Sequence, residues 1–144
     1  MTETIMDQFA MPPCAKLLGW HMIDADPEGG RVTIGFEGKP EFCNPAGFIQ
    51  GGLLSAMLDD TMGPAVLLHT NGAAYTATIS MTVNFLSPAR VGRLIGEARV
   101  SQVGKTVAFI EAKLTDDNGT VIATATSTAR VIETAKAVRR GAAG

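Results

Sequence analysis

Histidine, cysteine and tryptophan are scarce in this chain of 144 residues, which holds two histidines, two cysteines and one tryptophan. Two cysteines and two histidines at scattered positions do not support a metal site, so we expect neither a metal nor a redox cofactor. Residues 1–7 include acidic side chains and lack the basic start and apolar core of an export signal. Cys14 and Cys43 are therefore expected to be reduced thiols.

An excess of positive charge and a long apolar run are also absent. The formal net charge is −2, so we expect no general attraction to nucleic acid or to an anionic membrane. No apolar run approaches the ~20 residues that are needed to span a bilayer. The sequence therefore predicts a cytoplasmic protein with neither a nucleic-acid nor a membrane partner.

What is present is the composition of a single globular domain, with 46% hydrophobic and 18% charged residues. We expect one domain over residues 1–144, ending in a flexible tail at 133–144 where the periodicity stops. Apolar residues recur at helical spacing over residues 53–68. Pro64 predicts a kink or an early end of this helix. The other face of the helix carries small residues, which indicates that protein surrounds it.

The second half of the chain has the pattern of long β-strands. Alternating or β-branched runs cover residues 75–86, 93–103, 106–115 and 121–131, and Asn118-Gly119 is a strong hairpin turn. Two shorter strands, at 19–23 and 31–36, flank a turn-rich segment. One long helix with such strands predicts an α+β layer, in which a curved antiparallel sheet wraps the helix.

A polar, glycine-rich loop at residues 44–52 leads into the helix, which carries two acidic residues where burial is expected. Glycines at a helix N-terminus offer unpaired N–H groups to an incoming oxygen, although a glycine pair is also a common tight entry to a helix. Asp59 and Asp60 lie two turns further on, beyond most of the benefit of the helix dipole. Together these features predict a site that polarises a carbonyl and attacks it with a carboxylate or a carboxylate-activated water.

The order of these motifs over residues 15–132 resembles the hotdog-fold acyl-CoA thioesterases, most closely their phenylacetic-acid-degradation (PaaI-like) branch. That family's site has a loop Asn, a His-Gly-Gly at the helix start, an Asp eight residues after the first Gly, and a Ser or Thr on the next strand. The corresponding residues here are Asn44, Gln50-Gly51-Gly52, Asp59 and Thr78. The departure is Gln50, which offers a donor and an acceptor but cannot titrate near neutral pH as histidine does.

The resemblance implies a role for each of these residues. The Gly51 N–H would bind the thioester oxygen as negative charge develops on it. Asp59 would act as a general base on water or as a nucleophile that forms a mixed anhydride, with support from Thr78. Asn44, which is also a plausible turn former, and Gln50 would position water or substrate.

Further residues are candidates for substrate binding or for structure. Gly52, Arg90 and Lys105 are the candidates for substrate binding, and the resemblance implies that the two cations lie near the coenzyme A phosphates. The alternative for Lys105 is a solvated lysine in a hairpin turn. Helical geometry sets Asp60 at 100° from Asp59, and periodicity alone cannot say which of the two faces the site. The spacing from Gly51 favours Asp59, so Asp60 is assigned a structural or salt-bridging role.

The spacing along the helix predicts the oligomeric state. Gly51 and Asp59 are eight residues apart, which is about 12 Å along the axis at ~1.5 Å per residue, so one chain cannot easily bring both to one carbonyl. The sequence therefore predicts an obligate homodimer with two shared sites, and the resemblance adds tetramers as an option.

Three functions follow from the sequence. The first is an acyl-CoA thioesterase for phenylacetyl, hydroxybenzoyl or medium-chain acyl groups. The second is a hotdog hydratase or dehydratase, which the absence of a loop or helix histidine disfavours. The third is a non-catalytic acyl-CoA-binding or sensing module, which gains nothing from an uncompensated Asp59.

Overall fold

The computed structural model describes residues 4–135, in which a long helix lies against a six-stranded antiparallel sheet. The helices that concern the site are α1 (Pro13–Leu17) and α2 (Gly51–His69), and short 3₁₀ turns cover Ile5–Gln8 and Pro40–Phe42. The strands are β1 (His21–Asp26), β2 (Arg31–Gly38), β3 (Ala74–Phe85), β4 (Gly92–Val103), β5 (Val107–Asp116) and β6 (Val121–Glu133). The predicted α+β class and the four long strands of the second half are confirmed.

The order of strands across the sheet is β1–β2–β4–β5–β6–β3, and each neighbouring pair is antiparallel. Strands β4, β5 and β6 follow one another as hairpins. In the turn between β5 and β6, Asp116 Oδ1 accepts hydrogen bonds from the N–H groups of Asn118 and Thr120, and Gly119 takes a φ of +80°. Strand β3 pairs with β6 on one side only, so it forms an edge of the sheet.

The core lies between α2 and the inner face of the sheet. Its largest fully buried side chains come from both layers, including Met57, Leu58 and Met62 on the helix and Ile34 and Leu114 on the strands. Burial of each such side chain stabilises the fold by about 1.5–3 kcal/mol. This packing therefore fixes the position of α2 relative to the sheet.

The helix approaches the sheet closely at Gly96 on β4. A Cβ atom at this position would lie 2.3 Å from Oγ1 of the buried Thr61. A glycine is therefore required for α2 to pack this closely on the strand.

The helix runs through Pro64 without ending, so the prediction of an early end is wrong. Proline has no N–H, and the carbonyl four residues earlier, that of Asp60, is left without its helical donor. The indole Nε1–H of Trp20 donates to this carbonyl oxygen at 3.0 Å. A donor from another part of the chain thus replaces the missing helical bond, and α2 continues to His69.

The small-residue face of α2 is not surrounded by protein within one chain. Gly52 and Asp59 are exposed, while Ser55, Ala56 and Gly63 are half-buried. The prediction of burial on both faces is wrong for a single chain, because the sheet lies against the opposite face of the helix.

Three further observations bear on the sequence predictions. Cys14 and Cys43 are free thiols. No helix among residues 4–135 has the length and apolar character that a membrane crossing requires. The predicted tail at 133–144 falls mostly outside the described residues, and its first residue, Glu133, still belongs to β6.

Candidate active site

The loop before α2 is held by its own backbone and by Asn44. The Asn44 side-chain oxygen accepts hydrogen bonds from the N–H groups of Ala46 (3.0 Å) and Phe48 (3.1 Å). The Asn44 N–H in turn donates to the Phe48 carbonyl at 2.7 Å. Asn44 is therefore a turn former here, as its position before a proline suggests. Its side-chain amide donates to no group in the described part of the chain, which leaves this amide able to bind a water or a substrate.

The loop is also tied to its surroundings at the end that meets the helix. The Ile49 N–H donates to the Ala89 carbonyl at 2.8 Å, and the Gln50 N–H donates to the Phe42 carbonyl at 2.9 Å. Gln50 has extended backbone geometry (φ −64°, ψ 138°) and is the residue before the first helical turn. These bonds fix the direction in which the helix begins.

Gly51 and Gly52 begin α2 with N–H groups that donate to no acceptor among residues 4–135. A Cβ atom on Gly51 would lie 3.1 Å from Cζ of Phe85, and one on Gly52 would lie 2.7 Å from the Gln50 Oε1. The two glycines thus let an aromatic ring and an amide approach the helix start. Free N–H groups at a helix N-terminus favour an oxygen that carries negative charge.

Asp59 is bound by the residue that the resemblance predicted for its support. The Thr78 hydroxyl donates to Asp59 Oδ1 at 2.7 Å, although the two residues are 19 positions apart. Thr78 precedes an irregularity in the pairing of β3 with β6, between Thr78 and Ser80. Such bulges redirect side chains. The bond orients an exposed carboxylate and leaves its second oxygen available.

Asp60 has a different environment from its neighbour. It is half-buried, and its Oδ2 atom has no hydrogen-bond partner among the described residues. Burial, and to a lesser extent the charge of Asp59, raise the pKa of Asp60 to about 6. No salt bridge of Asp60 is found in the described part of the chain, where Arg99 pairs with Glu111 and Lys113 pairs with Glu97.

The two candidate phosphate-binding cations lie far apart within one chain. The Arg90 guanidinium lies 5.7 Å from the ring centre of Phe48, so it borders the loop and the start of α2. Lys105 lies in the turn before β5, where the Val131 N–H donates to the Thr106 carbonyl. Val131 pairs with the first part of β3, whereas Phe85 at the other end of β3 contacts Gly51. Nine residues of strand, about 30 Å, separate these two ends.

Apart from Lys105, the predicted site residues thus form two groups in one chain. Gly51, Gly52, Gln50 and Arg90 surround the start of α2, and Asp59 and Thr78 lie two turns further along. Because α2 is continuous from Gly51 to His69, the two groups stay about 12 Å apart along the axis.

Three further residues lie beside the site and had little signal in the sequence, namely Trp20, Phe48 and Phe85. Phe85 is the last residue of a strand that could be predicted, but its contact with the helix start depends on the packing of β3. Neither histidine reaches the site: the His21 ring Nδ1 pairs with the Gly19 carbonyl, and the His69 ring Nδ1 pairs with the Pro27 carbonyl. Among residues 4–135, no three His, Cys, Asp or Glu side chains group as metal ligands would.

Comparison with known proteins supplies the family context of this geometry. A profile described as the thioesterase superfamily matches residues 46–123, just over half of the chain. Human acyl-coenzyme A thioesterase 13 is 33% identical over 88 residues, which are 60% of this chain and 62% of the human protein. The chain spans only 62–65% of the length of three curated relatives that it matches.

Solved structures match over more of the chain. A phenylacetic acid degradation-related protein from Ralstonia eutropha is 33% identical, with a TM-score of 0.82 over 88% of this chain and 95% of that one. The PaaI protein of Escherichia coli is 21% identical, with a TM-score of 0.77 over 84% and 85% of the two chains, and indicates a shared fold. These matches confirm the predicted hotdog fold.

Proposed function

Because this chain belongs to the thioesterase superfamily, as its sequence resemblance indicated, we propose that it hydrolyses an acyl- or aryl-CoA to the free acid and coenzyme A. One observation carries the proposal. Asp59, held by the Thr78 hydroxyl at 2.7 Å, lies on the helix whose first N–H groups are unpaired in the described chain. A carboxylate and an oxyanion donor are the two groups that thioester cleavage needs.

The Gly51 N–H polarises the thioester carbonyl and binds its oxygen as the charge on it grows. In one form of the reaction Asp59 takes a proton from water, the hydroxide adds to the carbonyl carbon, and the C–S bond breaks to release the coenzyme A thiolate. In the other form Asp59 adds to the carbon itself, displaces the thiolate and leaves a mixed anhydride that water cleaves. Chemical quenching with a radiolabelled acyl group separates them, since only the second form gives a protein-bound acyl group.

The same geometry supports a homodimer with shared sites. Gly51 and Asp59 are too far apart on one helix to act on one carbonyl. The free edge strand β3 also exposes large apolar side chains, with Tyr75 52%, Ile79 60% and Phe85 54% exposed. A second copy packed against β3 and the small-residue face of α2 would cover these side chains and bring Gly51 of one copy to Asp59 of the other.

Complementation between two inactive variants tests this arrangement. Gly51→Pro removes the N–H and adds a side chain whose Cβ would lie 3.1 Å from Cζ of Phe85. Proline is favoured at the first helical position, and Gln50 already has the extended geometry that a following proline requires. Gly51→Ala, which keeps the N–H, is its matched control. An equal mixture of Gly51→Pro and Asp59→Asn should regain about a quarter of wild-type activity, since half of the dimers hold one intact site. No recovery after subunit exchange would contradict the shared site.

Free-thiol release from a panel of aryl- and straight-chain acyl-CoAs tests the function itself. Asp59→Asn should lower kcat about 10²–10⁴-fold with thioester binding retained. Asp60→Asn is the matched control for Asp59→Asn, because it removes the neighbouring carboxylate of the same helix and leaves Asp59 in place. Binding without hydrolysis by the wild type would favour the sensing module, and hydration of an enoyl-CoA would favour the hydratase. Equal activity of Asp59→Asn and the wild type would show that another acid acts.

The remaining assignments extend this proposal. Arg90 beside the loop, and Lys105 from the other copy, would bind the phosphates of coenzyme A, while Asn44 and Gln50 position water or substrate. Gly52 gives the substrate access to the helix start. Pairing of dimers into tetramers and a cytoplasmic location stay predictions.

A further inference from the structure

The proline in the middle of α2 leaves one carbonyl group of the helix without a hydrogen-bond donor from the helix itself. Pro64 has no N–H, and the Asp60 carbonyl therefore lacks the donor that every other residue type at position 64 would supply. Carbonyl groups inside proteins are nearly always paired, because an unpaired one is costly. The helix nevertheless continues for five residues beyond Pro64.

Trp20 supplies the missing donor. Its indole Nε1–H lies 3.0 Å from the Asp60 carbonyl oxygen, across 40 positions of sequence. The indole is well placed to stay there: the Trp20 N–H donates to the Ala15 carbonyl at 3.0 Å, and the partly buried ring packs against the core. This residue is the one tryptophan in the chain.

The bond acts on the part of the helix that carries the proposed catalytic carboxylate. The Asp60 carbonyl belongs to the residue directly after Asp59, whose side chain is held by Thr78 on β3. The same turn of α2 is thus fixed from two directions, by Trp20 through the backbone and by Thr78 through the carboxylate. Loss of either bond would let the carboxylate shift relative to the substrate.

We propose that Trp20 is a positioning residue for Asp59, because its indole replaces the hydrogen bond that Pro64 removes and so fixes the helical turn that carries the carboxylate. The inference rests on the proposed hydrolysis for its catalytic part, while the hydrogen bond itself is independent of function. Misplacement of a reacting group by about 1 Å can lower a rate by up to 10²-fold.

A cycle of variants tests the inference by rescue. Trp20→Phe keeps an aromatic ring and removes the donor, and Pro64→Ala restores a helical N–H to the Asp60 carbonyl. In the protein that keeps Pro64, Trp20→Phe should lower kcat about 10-fold and change KM less than about two-fold. In the Pro64→Ala background, the same change should lower kcat less than about two-fold.

The outcomes separate the positioning role from simple packing. If Trp20→Phe lowers kcat equally with Pro64 and with Pro64→Ala, the inference is overturned, since the ring and not its N–H would then matter. The absence of any loss of kcat would overturn it as well. If the wild type hydrolyses no thioester, the proposed function fails while the bond stays measurable. In that case Trp20→Phe should still lower the urea midpoint of unfolding more in the Pro64 background than in Pro64→Ala, and equal shifts would overturn the bond as well.

Discussion

Replacement of Asp60 by asparagine is expected to stabilise the protein at neutral pH. The Asp60 side chain is half-buried, and its Oδ2 atom has no partner among the described residues. Burial, with a smaller contribution from the charge of Asp59, raises the pKa of Asp60 from 3.8 to about 6. Asparagine has nearly the same shape and never ionises, so the change removes the buried charge and little else.

The sign and size of the effect follow from the difference between the two pKa values. The folded state binds this proton more tightly than the unfolded chain, so the wild type loses stability as the pH rises from about 4 to about 6. Each pH unit of difference corresponds to about 1.4 kcal/mol, which gives an upper limit of about 3 kcal/mol. Because solvent reaches part of the side chain and screens it, we expect about 1–2 kcal/mol.

Urea unfolding of the wild type and Asp60→Asn at several pH values measures this difference. The variant should match the wild type near pH 4 and exceed it by about 1–2 kcal/mol above pH 7. Asp117→Asn, in an exposed turn between β5 and β6, is the control for the loss of one carboxylate. A stability difference that is constant from pH 4 to pH 8 would refute the reasoning, since it would not arise from ionisation.

A second assay reads the ionisation of Asp60 directly. The indole of Trp20 is hydrogen-bonded to the backbone of Asp60, so its fluorescence should titrate with a midpoint near pH 6 in the wild type and lose this step in Asp60→Asn. Asp59→Asn should move the midpoint to lower pH, because the charge of Asp59 raises the pKa of Asp60. A midpoint that does not move would show that the two carboxylates do not interact.

Two further predictions concern catalysis and binding. Thr78→Val should lower kcat about 10–100-fold, because a hydrogen bond to the Asp59 carboxylate contributes about 1.5–3 kcal/mol. Thr78→Ser keeps the hydroxyl and should retain most activity. A Thr78→Val variant as active as the wild type would contradict the role of Thr78 in supporting Asp59. Arg90→Ala should raise KM for acyl-CoA about 3–10-fold at low salt and leave KM for an N-acetylcysteamine thioester, which has no phosphates, unchanged. Arg99→Ala, which removes the ion-pair partner of Glu111, is its control, and an equal change in KM for both thioesters would contradict phosphate binding.

The regular elements could be predicted because their signals are local. The alternation in the second half of the chain places four strands within a few residues of their observed bounds, and the helical spacing after Gly51-Gly52 predicts α2. The order of the strands has no such local signal. Strand β3 precedes β4 in the chain, yet it pairs with β6 at the edge, and this pairing is what brings Phe85 to Gly51.

The early end of the helix that was predicted at Pro64 is wrong for a related reason, while the alternative of a kink stays a prediction. The sequence of the helix shows only that Pro64 lacks an N–H, and this absence favours an early end of the helix. The donor that allows the helix to continue is Trp20, far away along the chain. No spacing pattern links the two residues, because their contact depends on how the segment before β1 packs against α2.

The two neighbouring acids of α2 show most clearly what sequence can and cannot supply. Asp59 could be favoured over Asp60 through its spacing from Gly51, and its bond to Thr78 agrees with that choice. The spacing could not show how different the two environments are. Asp59 is exposed and oriented, whereas Asp60, 100° further around the helix, is half-buried and its Oδ2 atom has no partner among the described residues. A general base must reach the substrate. Asp59 is exposed and oriented by Thr78, whereas Asp60 is half-buried, so the contrast in access supports the proposal of Asp59 as the reacting group.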